Sequence, residues 1–171
     1  MTFKSGFSLS GEELLFKEWL VESPFVVSGF SYGAILAFEE ALSSDKRIDT
    51  VQLFSPAFFQ TQKVSYKKMQ LRYYKQDASA YETAFLKNVA APSDVDLRPF
   101  FKKSTPEALH ELLAYEWSSE KLEALRKKGT KIEVYLGAKD IIIDANAAKD
   151  FFNPFATIYF FNHYGHLLKG A

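Results

Sequence analysis

The pentapeptide Gly29-Phe30-Ser31-Tyr32-Gly33 constrains this chain more than any other stretch. A short apolar run, Phe25-Val26-Val27, leads into it, and helical spacing begins directly behind it, from Ala34 to about Leu42. A chain that passes from strand to helix within two or three residues must turn sharply. Glycines on either side remove the Cβ atoms that would clash there. A serine at the apex is lifted clear of the sheet, and the first N–H groups and positive dipole end of the new helix face whatever it meets.

The rest of the chain reads as strands alternating with helices, which predicts a parallel sheet with helices on its faces. Strands are expected at Thr2 to Ser5, Phe25 to Val27, Thr50 to Phe54, Lys131 to Leu136 and Ala156 to Phe161. Ser10-Gly11-Glu12-Glu13 reads as a capping box opening a helix whose apolar face is Leu14, Leu15, Trp19 and Leu20. From about Ala57 to Lys128 the pattern is largely helical and interrupted by Pro92, Pro99 and Pro106. It falls between two strands, so a helical insertion over the C-terminal ends of the strands is expected, where open α/β sheets bind ligands. A further short helix is predicted from Asp144 to Phe152. At 171 residues the expectation is one domain.

A serine hydroxyl needs a base. The three histidines are His110, His163 and His166. His110 falls in a helical run inside the insertion, whereas His163 and His166 both follow the last strand, on the side where Ser31 is expected. The base in turn needs a carboxylate to orient it. Asp140 follows a strand and a glycine turn; Asp144 is the alternative, with capping of the next helix as its competing role. With no cysteine in the chain, disulfides, thiolate nucleophiles and zinc–thiolate sites are excluded.

In this order, Ser then Asp then His, the chain resembles the α/β-hydrolases. Gly29 to Gly33 matches their nucleophile elbow, Gly137 to Asp144 resembles their acid segment with Asp140 at the acid position, and Gly165-His166 resembles their glycine–histidine pair, which favours His166 as base. Ser5-Gly6-Phe7-Ser8 resembles their oxyanion loop, with Ser5 where many members carry histidine. The resemblance implies a reduced α/β-hydrolase fold with about five strands where the family commonly has eight, and a helical lid at about 57–128. It implies oxyanion donors at the backbone N–H groups of Tyr32 and Phe7, and a reaction that requires no metal or organic cofactor.

Charge is balanced overall, with 21 basic and 21 acidic side chains, so only its distribution can point to a partner. Residues 63–103 carry nine basic side chains against four acidic ones, a local excess of five. Within it Lys68, Arg72 and Lys75 share one helical face, next to Lys67. A basic lid predicts an acidic partner that delivers the substrate. Nothing in the sequence resembles a nucleic-acid module. Among short α/β-hydrolases the chain resembles the compact esterases that remove the methyl group from pimeloyl-acyl-carrier protein in biotin synthesis, which implies an acyl-carrier protein as partner, bound through Lys67, Lys68 and Arg72. A generic carboxylesterase or thioesterase, and a degenerate hydrolase serving as a binding protein, are the competing readings. No apolar stretch approaches the length of a membrane span, and residues 1–10 do not read as a signal peptide; a cytoplasmic protein is expected.

Overall fold

The structure is a computed structural model and describes residues 2–171. Five parallel strands form one sheet in the order in which they occur: β1 (Thr2–Lys4), β2 (Val26–Phe30), β3 (Thr50–Phe54), β4 (Lys131–Gly137) and β5 (Thr157–Phe161). In register, Val27 pairs with Val51, Val51 with Ile132 and Val134 with Ile158. Strand β2 extends beyond the apolar run, through Gly29 to Phe30, and Phe25 stays outside it, exposed.

Period-two alternation gives the sheet two different faces. Val27, Val51, Leu53, Ile132, Val134 and Leu136 pack on α1 (Tyr32–Ser43) and on two later helices through Phe38, Leu122, Leu125 and Phe152. The opposite face carries Phe30, Phe54 and Tyr135, with Ser28, Gln52 and Glu133 between them. A 3-10 helix (Glu12–Phe16) covers the aromatic part of this face: the Phe16 ring lies 4.8 Å from that of Phe30 and 5.0 Å from that of Phe54.

Here the structure departs from the predicted capping box. Gly11, at φ 79°, occupies the cap position, no side chain caps the turn, and neither Ser10 nor Glu13 makes the predicted bonds. Glu12 turns inward instead and accepts the Gly6 N–H at 2.7 Å, which commits the first turn to the core.

Between β3 and β4 lie α2 (Val64–Gln76), α3 (Ala78–Ala90), α4 (Pro106–Ala114) and α5 (Ser119–Lys127). Asp77, Thr105 and Ser118 cap the last three, each accepting a backbone N–H three residues on. Helix α5 returns to the sheet, burying Leu122 and Leu125 beside α1. The last helix, α6 (Ala145–Phe152), begins at Asp144, whose Oδ1 accepts the Ala147 N–H at 2.9 Å. Among the described residues no helix is long and apolar enough to cross a membrane.

Candidate active site

Strand β2 ends in Phe30 and α1 starts at Tyr32, so the whole reversal falls on Ser31. Its backbone has φ 54° and ψ −113°, a conformation that non-glycine residues avoid. Such strain persists only where neighbours over-determine it. The Ser31 N–H donates to the Phe54 carbonyl at 2.9 Å, and the Ser31 carbonyl accepts from Ala34 and Ala57, both at 3.1 Å. A Cβ on Gly29 would lie 2.1 Å from the Gly33 carbonyl oxygen, so this turn closes only with glycine there.

His166 reaches Ser31 from the loop after β5, and Asp140 reaches His166 from the loop after β4. His166 Nε2 is 2.9 Å from Ser31 Oγ, and His166 Nδ1 is 2.6 Å from Asp140 Oδ2. The other carboxylate oxygen, Asp140 Oδ1, accepts the N–H groups of Ile142 at 2.7 Å and Ile143 at 3.0 Å, which fixes the carboxylate plane. His166 is fully buried and Ser31 is 4% exposed, so the three groups interact away from bulk water.

The loop carrying His166 is locked by close approach. A Cβ on Gly165 would lie 1.9 Å from the Ala91 carbonyl oxygen, and one on Gly137 would lie 2.3 Å from that of Tyr164. The Lys139 N–H also donates to the Tyr164 carbonyl, at 2.8 Å, which ties the loop of Asp140 to the loop of His166.

Of the three histidines, the structure brings His166 to Ser31; His163 and His110 are both exposed. Of the two candidate carboxylates it brings Asp140 to the imidazole and leaves Asp144 as a helix cap. Tyr32 is the first residue of α1, directly after Ser31, and Phe7 lies in the loop after β1. The Tyr32 hydroxyl donates to the Glu111 carboxylate on α4. Burial first, and then that acceptor carboxylate, push the phenol up to about 12. Among the described residues no group of three or more His, Cys, Asp or Glu side chains is arranged to hold a metal ion.

A cavity of about 270 Å³ opens between α2, α3, α4 and the segment after Asp140. Its walls include Phe59, Tyr66, Tyr81, Phe85, Leu112 and Ile142. The triad does not itself line it, but two wall residues adjoin the site. Ile142 donates its N–H to Asp140, and the Phe85 ring packs edge-on against Phe7 at 5.4 Å. On the outer surface of α2, Lys68, Arg72 and Lys75 line a shallow depression with Leu71 and Gln76, while Lys67 is half-buried. Sequence reasoning missed two buried carboxylates near the site, Glu12 and Glu82. Neither carries a sequence signal for this burial: Glu12 reads as part of a capping box, and Glu82 is held by contacts with Ser8, Tyr74 and Ser104 on other segments.

No family model and no curated protein matches the chain. Solved structures do. A carboxylesterase from Nitrososphaera gargenis is 18% identical, with a TM-score of 0.58 over 82% of this chain and 57% of its own. Naproxen esterase from Bacillus subtilis is 19% identical, with a TM-score of 0.57 over 84% of this chain and 53% of its own. The chain thus spans little more than half the length of these two esterases. BioG from Haemophilus influenzae is 7% identical, with a TM-score of 0.59 over 97% of this chain and 87% of its own. The fold is therefore that of the α/β-hydrolases, in a reduced five-stranded form.

Proposed function

We propose that the protein is a serine carboxylesterase in which Ser31 is the nucleophile, His166 the general base and Asp140 its orienting carboxylate. The observation that carries this reading is the unbroken chain of contacts from Ser31 Oγ through the His166 imidazole to Asp140, at 2.9 Å and 2.6 Å. Ser31 Oγ attacks the ester carbonyl as its proton passes to His166 Nε2. The backbone N–H groups of Tyr32 and Phe7 hold the oxyanion. His166 returns the proton to the departing alcohol, then deprotonates the water that hydrolyses the acyl-enzyme, releasing the free acid and restoring Ser31.

The substrate we propose is the methyl ester of pimeloyl-acyl-carrier protein, so the alcohol is methanol and the product is the carrier-bound free acid. The aromatic and aliphatic side chains that line part of the cavity beside the site support an aliphatic acyl chain. Lys68 and Arg72, exposed on α2, with the half-buried Lys67 beside them, support an acidic carrier protein docking through these three residues.

The decisive experiment follows demethylation of pimeloyl-acyl-carrier-protein methyl ester by mass spectrometry, with Ser31→Ala in parallel. Turnover by the wild type alone is expected. A triple charge reversal, Lys67→Glu, Lys68→Glu and Arg72→Glu, should slow the carrier-bound ester and spare a small soluble ester. Turnover of small esters only would leave a generic carboxylesterase, and absence of any Ser31-dependent turnover would leave a binding protein.

A further inference from the structure

The loop after β1 contains a tight turn, Gly6-Phe7-Ser8-Leu9, closed by the Leu9 N–H donating to the Gly6 carbonyl at 3.2 Å. Carbonyl and N–H point in opposite directions across a trans peptide. The Gly6 carbonyl is held toward Leu9, so the N–H of the same peptide unit, that of Phe7, is turned to the other side. The third residue, Ser8, sits at φ 58°, where glycine or asparagine is usual. A turn with this residue in the left-handed region needs an external hold.

Two buried carboxyl groups supply it, one at each end of the turn's first three residues. Glu12 Oε1 accepts the Gly6 N–H at 2.7 Å and fixes the entry to the turn. Glu82, on α3, accepts the Ser8 hydroxyl at 3.1 Å. The same Glu82 oxygen accepts the Tyr74 hydroxyl of α2 at 3.1 Å and the Ser104 N–H at 2.9 Å. Glu12 is fully buried and Glu82 is 2% exposed. Burying a carboxyl group costs free energy that only pairing or hydrogen bonding offsets, and here the bonds that offset it run to the turn and to the segments around it. The insertion also grips the turn through backbone: the Lys102 N–H donates to the Ser8 carbonyl at 3.0 Å, and the Ser10 N–H to the Phe100 carbonyl at 2.8 Å.

We propose that Glu12 and Glu82 are positioning residues that clamp the Gly6–Leu9 turn and aim the Phe7 N–H at the oxyanion, with Glu82 making that aim depend on the seating of the helical insertion. The proposal rests on the reading of Ser31 as nucleophile and Phe7 as oxyanion donor. It adds that the insertion does more than cover the site: α2 and α3 complete it. A ligand that shifts these helices shifts the oxyanion donor with them.

The test uses the full chain and a small activated ester such as p-nitrophenyl butyrate. Ser8→Ala removes one bond to Glu82 and leaves the Tyr74 and Ser104 bonds in place, so it probes the clamp with least damage to the fold. Loss of one oxyanion donor lowers kcat by about 100- to 1000-fold. Misaiming that donor in Ser8→Ala, Glu82→Ala or Glu12→Ala should lower kcat by about 10- to 100-fold with KM changed less than about threefold. Glu82→Gln keeps the accepting oxygen and should recover most of the loss. Affinity for a trifluoromethyl ketone, which forms the oxyanion adduct, should fall in parallel with kcat/KM, whereas affinity for the carboxylate product should not. Wild-type kcat in folded Ser8→Ala and Glu82→Ala would overturn the clamp alone; if Glu82→Ala does not fold, Ser8→Ala decides. A wild type that neither hydrolyses the ester nor is labelled at Ser31 by a fluorophosphonate would overturn the esterase reading and the clamp with it.

Discussion

Gly33 packs against Lys4 so closely that a Cβ on the glycine would come within 2.0 Å of the Lys4 carbonyl oxygen. Helix α1 and the loop after β1 are thus pressed together, backbone on backbone, beside Ser31. Gly33→Ala has no flexible side chain to displace and must push the loop away. It is expected to lower stability by roughly 3 kcal/mol, at the upper end for overpacking, and to depress activity in the fraction that folds. Gly129→Ala is the contrast: nothing lies within 4 Å of its Cβ, and only the φ of 88° opposes it. Its cost should be about 1 kcal/mol. Urea denaturation of both variants checks the ranking, and equal costs would refute the close-approach account.

Asp140 and His166 yield the sharpest kinetic contrast. In Asp140→Asn one amide oxygen can still accept from Ile142 and Ile143, so the loop should hold. The amide NH2 then faces His166 Nδ1, and the imidazole is driven to the tautomer that protonates Nε2. A base in that form cannot take the serine proton, and kcat should fall by about 10⁴-fold. His163→Ala, at an exposed position three residues from the base, should stay within about twofold of wild type, as surface substitutions away from a site generally do. Steady-state ester hydrolysis measures both. A large loss in His163→Ala would transfer the role of base.

Much of this site was legible because it is local in sequence. Gly29 to Gly33 dictates its own turn, and Asp140 and His166 each directly follow a strand, so a parallel sheet gathers them at one end. Asp144 was also readable as a cap. The rest was hidden by long-range contact. Glu12 reads as part of a capping box, but the demand of the Gly6 N–H for a buried acceptor outweighs the local helix signal. Glu82 looks like any polar residue of an exposed helix until Ser8, 74 residues earlier, is seen to donate to it. The ordering of the strands within the sheet follows from crossover rules only once the partners are known.

Two glutamates should give opposite pH signatures. Burial raises the Glu12 carboxyl above 4.5, and the N–H of Gly6 offsets only part of this. Its ionisation inside the fold is therefore unfavourable. The stability of wild type relative to Glu12→Gln should be highest in acid and fall as pH rises from about 4.5 through the raised folded value. Burial also opposes ionisation of Glu39, but hydrogen bonds from Lys121 and Tyr115 outweigh it and the carboxyl lies below 4.5. Wild type should therefore gain over Glu39→Gln at pH above about 4.5 and lose that gain as pH falls through the depressed value. Denaturant titrations at several pH values distinguish the two; parallel pH profiles for the two variants would contradict the assignment.

Cavity and site should be separable by acyl-chain length. Ala84 is an exposed residue of α3 that lines the cavity, so Ala84→Trp adds bulk at the wall without disturbing the core. Short esters, which leave the cavity empty, should be cleaved at near wild-type rates. An octanoyl ester should lose about tenfold in kcat/KM, the equivalent of one or two buried methylenes. A matched panel of p-nitrophenyl esters from acetyl to octanoyl provides the measurement. Equal effects across the panel would mean that the acyl chain does not occupy this cavity.

Gln52 holds together the face of the sheet opposite α1. Its Nε2 lies 2.9 Å from the Trp19 carbonyl, 3.0 Å from Glu133 Oε2 and 3.1 Å from the Tyr135 hydroxyl, while its Oε1 accepts the Val21 N–H at 3.1 Å and the Ser28 hydroxyl at 3.2 Å. One side chain thus joins β2, β3 and β4 to the strap of chain that crosses from Phe16 to Phe25. Gln52→Leu fills nearly the same volume but leaves the Val21 N–H and the Ser28 hydroxyl without their acceptor, and the Trp19 carbonyl without its donor. Buried groups stripped of partners cost about 1–3 kcal/mol each, less where water can enter. The variant should lose roughly 3 kcal/mol in total. Because the strap is held at this point, the loss should be local as well as global: the Val21 amide should exchange with solvent faster than the Val51 and Val134 amides of the sheet. Native-state hydrogen exchange reads this directly. Uniform acceleration at all three amides would show that Gln52 supports the sheet as a whole and not the strap that covers it.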